Sequence, residues 1–431
     1  MSQFRDLGLH KQLLKAIERV GFKELTEVQE KTIPLAMAGK DLMVSAKTGS
    51  GKTAAFLLPM LNFMLSKDAP NSSTRALILL PTRELALQTK KAFESLSGFT
   101  QIKCGVIIGG EAFKHQIASI RKNPEIIIAT PGRLVEHIEK GSIKFEDLEM
   151  LILDEADRML DMGFSEDMSA IARVCNPSRQ NLLFSATLGH SKMHNIQAIL
   201  RNPTSIEVDS HRKAHSSIKQ QLVLADDQKH KTMLVVGLIA EEKAERVIVF
   251  CRTREQCQEI GNVLKYKKLK ADYLHGEVPQ SERKQVMSRF RDGKLTVLVA
   301  TDVAARGLDV ANVDLVINFS VAQNGDDHVH RVGRTGRAGE AGKAVTLVNA
   351  MEWNLMSSIE RYLNISLEHR IVKGLRALYT GPKKVKKSGK AAGTKKKSDK
   401  KKGDKKAKDR KVTSGKGSAK RDGFSVLKKK R

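Results

Sequence analysis

Short, uninterrupted apolar runs recur along the chain, each closed by glycine or polar residues and separated from the next by a longer mixed stretch. Residues 42–44, 77–80, 106–108, 126–128, 151–153 and 182–184 form one series of such runs. A strand with one wet face would alternate apolar and polar residues, so these runs predict parallel strands buried on both faces. The stretch following the first run, residues 54–61, continues as a helix. The rhythm pauses over the polar residues 209–217, which lack periodicity, and resumes with runs at 221–224, 247–250, 297–299, 315–317 and 344–348. Strands alternating with helices predict an α/β fold. The pause predicts a linker at 209–217 between one globular half, residues 1–208, and a second, residues 218–372. A chain of 431 residues is longer than a single core usually holds, which fits two halves.

Charge changes the picture at the C-terminus. The chain carries a formal +28, of which residues 381–431 supply +19, with 23 Lys or Arg against 4 Asp. Lysine clusters interrupted by Gly and Ser, with almost no large apolar residues, cannot bury enough surface to offset chain entropy. Residues 373–431 are therefore expected to be a disordered basic tail. So dense a polycation binds polyanions by releasing their counterions, and a solubility tail without a partner is the alternative. The four cysteines, at 104, 175, 251 and 257, form no Cys-x-x-Cys pair and fit a reducing, cytoplasmic setting. No apolar stretch approaches the roughly 20 residues needed to span a bilayer, and the N-terminus lacks a charged region followed by an apolar one. Neither membrane insertion nor secretion is expected.

Two segments carry recognisable chemistry. The first is Ala46-Lys47-Thr48-Gly49-Ser50-Gly51-Lys52-Thr53, lying between the first strand and the helix that follows. Gly49 and Gly51 let the backbone fold around phosphate oxygens, Lys52 brings a cation to the outer phosphates, and Thr53 offers a hydroxyl to magnesium. Its first position is alanine, not the usual glycine. The second is Leu151-Ile152-Leu153-Asp154-Glu155-Ala156-Asp157, which places acids at the carboxyl end of a buried strand, where α/β sheets bind ligands. The second half contains no phosphate loop of its own. In it, His330, Arg334 and Arg337 stand at i, i+4 and i+7, a spacing that would put an imidazole and two guanidiniums on one helix face. Such a face suits an anion, and a solvated basic helix is the alternative.

Further motifs, in order, make the chain similar to a DEAD-box RNA helicase. Beside the phosphate loop and Asp154-Glu155-Ala156-Asp157 stand Pro81-Thr82-Arg83-Glu84-Leu85, Gly109-Gly110, Thr130-Pro131-Gly132-Arg133 and Ser185-Ala186-Thr187. The second half adds Val249-Phe250-Cys251-Arg252-Thr253, the run Ala300-Thr301-Asp302 through Arg306-Gly307-Leu308-Asp309, and the run His330-Arg331 through Gly336-Arg337. The resemblance covers residues 4 to about 370 and is to bacterial members with a short basic tail. It implies two RecA-like domains, each a parallel sheet flanked by helices, that close on ATP, magnesium and RNA.

The resemblance also implies roles for particular residues. Lys52, Asp154, Glu155, His330, Arg334 and Arg337 would be catalytic, with Asp154 holding magnesium through water beside Thr53, Glu155 acting on the attacking water, and the two arginines serving as fingers. Asp157 would link to Ser185 and Thr187, a structural cap being its rival role. The nucleotide would be held by Ala46, Lys47, Thr48, Gly49, Ser50, Gly51, Lys52 and Thr53, with Gly307 and Asp309 from the second half. The run Gly21 to Gln29 resembles the family's glutamine motif, so Phe22, Thr26 and Gln29, with Phe4 upstream, would recognise adenine. A glutamine amide both donates and accepts, matching the adenine N6 and N7 edge, which implies ATP over GTP. RNA would lie along Pro81, Thr82, Arg83, Gly110, Thr130, Gly132 and Arg133, facing Arg252, Thr253, Gly276, Arg283, Thr301 and Asp302. Hydroxyls, small residues and guanidiniums position a strand through its backbone and do not read its sequence. Leu25 departs from the family's usual proline, and His328 from its usual tyrosine.

The expected function is ATP-dependent RNA unwinding or ribonucleoprotein remodelling by a monomer, with ribosomal components among the partners and a cytoplasmic location, or a nuclear one in a eukaryote. An ATP-gated RNA clamp and an RNA chaperone that anneals through its tail are the alternatives. Deleting residues 381–431 is expected to weaken RNA affinity and flatten its salt dependence while leaving basal ATP hydrolysis intact, as read by RNA titration at two or more salt concentrations.

Overall fold

Two parallel sheets of seven strands carry the chain, in a computed structural model. It describes residues 3–46, 49–67, 74–188, 193–208, 218–305, 313–336, 342–386 and 388–391, all within the unit Met1–Ala392. The first sheet comprises β1 (Leu42–Ser45), β2 (Ala76–Leu79), β3 (Cys104–Ile107), β4 (Ile126–Ala129), β5 (Met150–Leu153), β6 (Gln180–Ser185) and β7 (Thr204–Glu207). The second comprises β8 (Ile218–Leu224), β9 (Val247–Cys251), β10 (Ala271–Leu274), β11 (Val297–Thr301), β12 (Leu315–Asn318), β13 (Gly342–Val348) and β14 (Glu368–Arg370). The spatial orders are β3-β4-β2-β5-β6-β1-β7 and β10-β11-β9-β12-β13-β8-β14. Counted from its own first strand, the second sheet repeats the order of the first.

The expected α/β architecture is present, and its burial explains why the apolar runs were legible. Along β5, Met150 and Ile152 join the core on one face of the sheet, while Leu151 and Leu153 join the core on the other. In β9, Val247, Val249 and Cys251 likewise face one core, and Ile248 and Phe250 face another. Three strands escaped the sequence reading: β7, β10 and β14, each at a sheet edge. Their residues, Thr-Ser-Ile-Glu, Ala-Asp-Tyr-Leu and Glu-His-Arg, are partly exposed and lack the apolar run that two-sided burial imposes on central strands.

The expectation of a disordered stretch from 373 onward is corrected over residues 373–386 and 388–391. The backbone amides of Leu378 and Tyr379 donate to the Asp226 carboxylate at 3.0 and 2.7 Å, and Lys373 donates to Glu241 at 2.7 Å. Further on, the Trp353 indole and the Ser357 hydroxyl both donate to the Gly389 carbonyl, at 3.1 and 3.0 Å. Acids and an indole on the second half supply hydrogen-bond partners that composition does not reveal. The remainder of the predicted tail, residues 392–431, and the linker 209–217 lie outside the described residues.

Lys231 shows how the second half is pinned. Its side chain is fully buried, and its ammonium donates to the Phe319 carbonyl at 2.7 Å and pairs with Glu352, tying the helix Gln228–Glu242 to the end of β12. Removing one partner of a buried pair leaves an uncompensated charge. Lys231→Ala is therefore expected to cost about 3 kcal/mol in urea unfolding, and Lys231→Met combined with Glu352→Gln distinctly less.

Candidate nucleotide and RNA site

The phosphate loop leaves β1 with the Ala46 amide donating to the Ser185 carbonyl at 3.1 Å. It turns through Gly49 and Gly51, whose φ values of +83° and +96° only glycine adopts readily, and enters the helix Lys52–Ser66. Lys52 is buried, with Nζ donating across the loop to the Ala46 carbonyl at 2.8 Å. The loop thus presents a helix N-terminus and an ammonium together, an arrangement that suits phosphate. Lys47 and Thr48 lie outside the described residues. Gly51 is also fixed by its surroundings, because a Cβ there would stand 2.6 Å from Gln29 Nε2 and 2.8 Å from Thr26 Oγ1.

Those two neighbours belong to the presumed adenine reader. Thr26 caps the helix Glu27–Met37 in a reciprocal capping box with Gln29. Gln29 Oε1 accepts from the Thr26 amide at 3.1 Å, and Nε2 donates to the Gly51 carbonyl at 3.2 Å. A glutamine amide has two lone pairs and two hydrogens, so one of each stays available for a base edge. The two aromatics divide the work. Phe4 is buried in the core, while Phe22 is stacked on it with ring centroids 6.1 Å apart and keeps an exposed face. Leu25, in place of the usual proline, packs against the core of the first half, so an apolar anchor holds the loop where ring rigidity would.

The acids follow β5. Asp154 is buried, and burial pushes its carboxyl up to about 6, opposed by the nearby Lys52 ammonium and reinforced by the Glu155 charge. Glu155 sits at φ +53°, a left-handed conformation costly for a non-glycine residue. Asp157 reaches the neighbouring strand end, where Oδ2 accepts from the amides of Ala186 and Thr187, each at 3.1 Å. The expected link to Ser185 is corrected here: its hydroxyl donates to the Thr187 carbonyl at 2.5 Å and accepts from the Thr187 amide at 3.1 Å, so Asp157 grips the loop through backbone amides. Among the described residues the buried Thr187 hydroxyl has no hydrogen-bond partner. The sequence reading missed Arg158. It is buried with Nη1 2.7 Å from Glu155 Oε2, and its place three residues after Glu155, at the start of the helix Ala156–Asp161, was the available signal.

In the second half, the single basic helix face is corrected. The helix Gly325–Val332 ends at the Gly333 cap, and Gly336 adopts φ +64°, so His330 lies on the helix and Arg334 beyond it. Arg334 is buried and turns back, Nε donating to the His330 carbonyl at 3.3 Å. Arg337, Gly307 and Asp309 lie outside the described residues. Asp302, expected on the RNA face, is committed to Arg331 in a two-pronged pair at 2.6 and 2.7 Å, and Arg331 also donates to the Ser320 carbonyl at 2.6 Å. A cavity of about 20 Å³ lies between the halves, bordered by Arg158, Phe250, Asp302, Ala305, Asp327, His330, Arg331 and Arg334.

The residues expected to meet RNA follow the carboxyl ends of strands, except Arg283, which lies on the helix Gln280–Arg291. Pro81, Thr82 and Arg83 follow β2, Gly110 follows β3, and Thr130, Gly132 and Arg133 follow β4. Arg252 and Thr253 follow β9, Gly276 follows β10, and Thr301 closes β11. Thr82 and Thr253 cap their helices through side-chain oxygens, at 3.3 and 3.2 Å from the Leu85 and Gln256 amides. The Arg83 guanidinium lies against the backbone of Gly109 and Gly110, an approach that any Cβ at Gly110 would block. Arg283 joins the two sets: Nε stands 2.6 Å from Glu84 of the first half, and Nη2 donates to the Ala304 carbonyl at 2.5 Å. Gly51→Ala is expected to lower ATP affinity at least about tenfold in a nucleotide titration, with nucleotide-free RNA binding unchanged, because it strains φ and displaces Gln29.

A family model described as DEAD/DEAH box helicase matches residues 26–196, and one described as helicase conserved C-terminal domain matches residues 228–339. The chain is 40% identical over 387 residues to the ATP-dependent RNA helicase SrmB of Haemophilus influenzae, covering 89% of this chain and 88% of that protein. It is 39% identical over 368 residues to the DEAD-box ATP-dependent RNA helicase CshA of Geobacillus kaustophilus, covering 85% and 78%. The solved structure of S. cerevisiae Dbp5 bound to RNA and ADP BeF3 superposes with a TM-score of 0.79 at 28% identity, covering 86% of this chain and 96% of that one. Similarity of this depth, spread across both halves, shows that the chain belongs to the DEAD-box family of ATP-dependent RNA helicases, ATP-hydrolysing enzymes with two RecA-like domains.

Proposed function

We propose that this helicase separates short RNA duplexes locally by closing its two halves on ATP and a single strand, and reopens after hydrolysis. The observation that carries this reading is that both functional surfaces span the halves. Arg158, beside Glu155, shares a cavity with His330 and Arg334, and Arg283 meets Glu84 within the RNA-facing motifs. An ATP site that needs residues from both halves ties turnover to closure, and closure to a bound strand.

Hydrolysis of ATP needs charge neutralisation and an oriented water more than covalent chemistry. In this reading Lys52 neutralises the outer phosphates, and Glu155 takes the proton as water oxygen bonds to the terminal phosphorus and the bond to ADP breaks. Arg334 and Arg337 offset the charge on the transferring group. The buried Asp154 carboxylate and the Thr53 hydroxyl suit a magnesium ion, since this cation takes few protein oxygens and completes its shell with phosphate and water. Magnesium would add positive charge beside the phosphate oxygens. Burial alone disfavours a charged Asp154, and a cation there relieves that cost. Gln29 and Phe22 select adenine, and the strand-end residues hold RNA by backbone and sugar.

Both halves of the site lie on one chain, so we infer a monomeric enzyme. Among the described residues no helix is long and apolar enough to cross a membrane. The four cysteines are free, which supports a reducing, cytoplasmic setting. Ribosomal or other ribonucleoprotein assemblies are the partners that a polycationic extension would tether.

The deciding experiment is steady-state ATP hydrolysis without nucleic acid, with single-stranded RNA, and with DNA of the same sequence. Strong stimulation by RNA alone supports the reading, and turnover indifferent to RNA overturns it in favour of annealing through the tail. Glu155→Gln is expected to cut turnover by about 100-fold or more while RNA is retained in the presence of ATP, measured by a competition chase. Normal turnover in that variant would remove Glu155 from the mechanism.

A further inference from the structure

Three acids, Asp154, Glu155 and Asp157, are buried within four positions, and each is held differently. Asp154 faces Lys52, and Asp157 accepts from the amides of Arg158, Ala186 and Thr187. Glu155 is held by a side chain. Arg158 Nη1 reaches Glu155 Oε2 at 2.7 Å, and the two side chains are only 2% and 8% exposed. A pair so deeply desolvated is not interchangeable with solvent contacts, because a lone buried charge costs several kcal/mol.

The anchoring of this arginine is equally specific. Its amide donates to Asp157 Oδ1 at 3.0 Å, so its backbone is fixed by the residue that grips the Ala186–Thr187 loop. Its side chain borders the cavity of about 20 Å³, room for about one water, whose other walls include Asp302, His330, Arg331 and Arg334 of the second half. One guanidinium therefore touches Glu155 and also faces the second-half residues that closure brings to the nucleotide.

We propose that Arg158 is a positioning residue for ATP hydrolysis, fixing the Glu155 carboxylate by one oxygen so that the other is presented to the attacking water once the second half is in place. Glutamate has three side-chain torsions, and an unanchored carboxylate would sample several orientations. A displacement of about 1 Å in such a group is worth on the order of 100-fold in rate. The left-handed backbone at Glu155 fixes where the side chain starts, and Arg158 fixes where it ends. The inference rests on the reading of Glu155 as the residue that acts on water.

A double-mutant cycle tests it, using Arg158→Gln, Arg158→Lys, Glu155→Gln and the double variant Glu155→Gln with Arg158→Gln in the full chain. RNA-stimulated kcat, KM for ATP, affinity for a fluorescent ATP analogue and thermal midpoint are read for each. Arg158→Gln is expected to lower kcat roughly 10- to 100-fold, with KM and analogue affinity within about twofold of the starting protein. Arg158→Lys, which keeps the charge without the planar fork, recovers part of the loss. In the Glu155→Gln background, Arg158→Gln adds less than about twofold, because a residue acting through Glu155 has nothing left to position. The proposal is overturned if the two losses multiply, if kcat falls only together with analogue affinity and midpoint, or if Arg158→Gln raises kcat, which would make the pair a restraint. Normal turnover in Glu155→Gln would instead sink the reading of Glu155 itself, so the two failures are distinguishable.

Discussion

The chemistry of this protein depends on the burial of parallel strands on both faces. Such strands all run the same way, so every loop that follows one emerges at a single edge, and sheet order decides which loops are neighbours. In the first sheet β5, β6 and β1 are adjacent, which places the acids, the Ser185-to-Thr187 loop and the phosphate loop side by side at the roughly 5 Å spacing of neighbouring strands. Asp157 spans the first gap through the Ala186 and Thr187 amides, and the Ala46 amide spans the second to Ser185. In the second sheet, β11, β9 and β12 are adjacent, and Arg331 links Asp302 beyond β11 to Ser320 beyond β12. The same strand order, used twice, builds two active edges of different chemistry.

Charge is buried at those edges in pairs. Glu155 with Arg158, Asp302 with Arg331, and Lys231 with Glu352 each place opposite charges in contact within the protein. Buried pairs contribute little net stability over apolar packing, since the Coulombic gain is offset by desolvation, but breaking one is costly. Their effect is to hold side chains in fixed directions. Asp154 differs in that burial raises its pKa and its cation, Lys52, is itself directed at the Ala46 carbonyl. The least compensated acid therefore lies beside the Lys52 ammonium of the phosphate loop.

Contacts between the halves convert two sheets into one enzyme. The Arg283–Glu84 pair joins the motifs proposed to face RNA, and the small cavity between Arg158 and the helix Gly325–Val332 joins the residues proposed for hydrolysis. Both are polar and local, so they can form and break without disturbing either core, as the proposed cycle of closing and opening requires.

The sequence by itself determined the central strands, the phosphate loop and the ordered motifs, because two-sided burial demands apolar runs and phosphate binding demands glycines at set spacing. It also fixed family and activity, since residues such as Asp154, Glu155 and Arg334 stand in recognisable contexts. The edge strands β7, β10 and β14 were not legible, as one solvated side removes the pattern that marks the others. Nor was the break after Val332, where an i, i+4, i+7 spacing suggested one helix and the glycines at 333 and 336 ended it. The packing of Lys373, Leu378 and Gly389 depended on Glu241, Asp226 and Trp353, each more than 30 residues distant along the chain. Tertiary structure alone decided that Asp302 braces Arg331, that Asp157 holds amides, and that Arg158 holds Glu155. A side chain's identity fixes what it can bond, but only the folded backbone fixes which partner stands within reach.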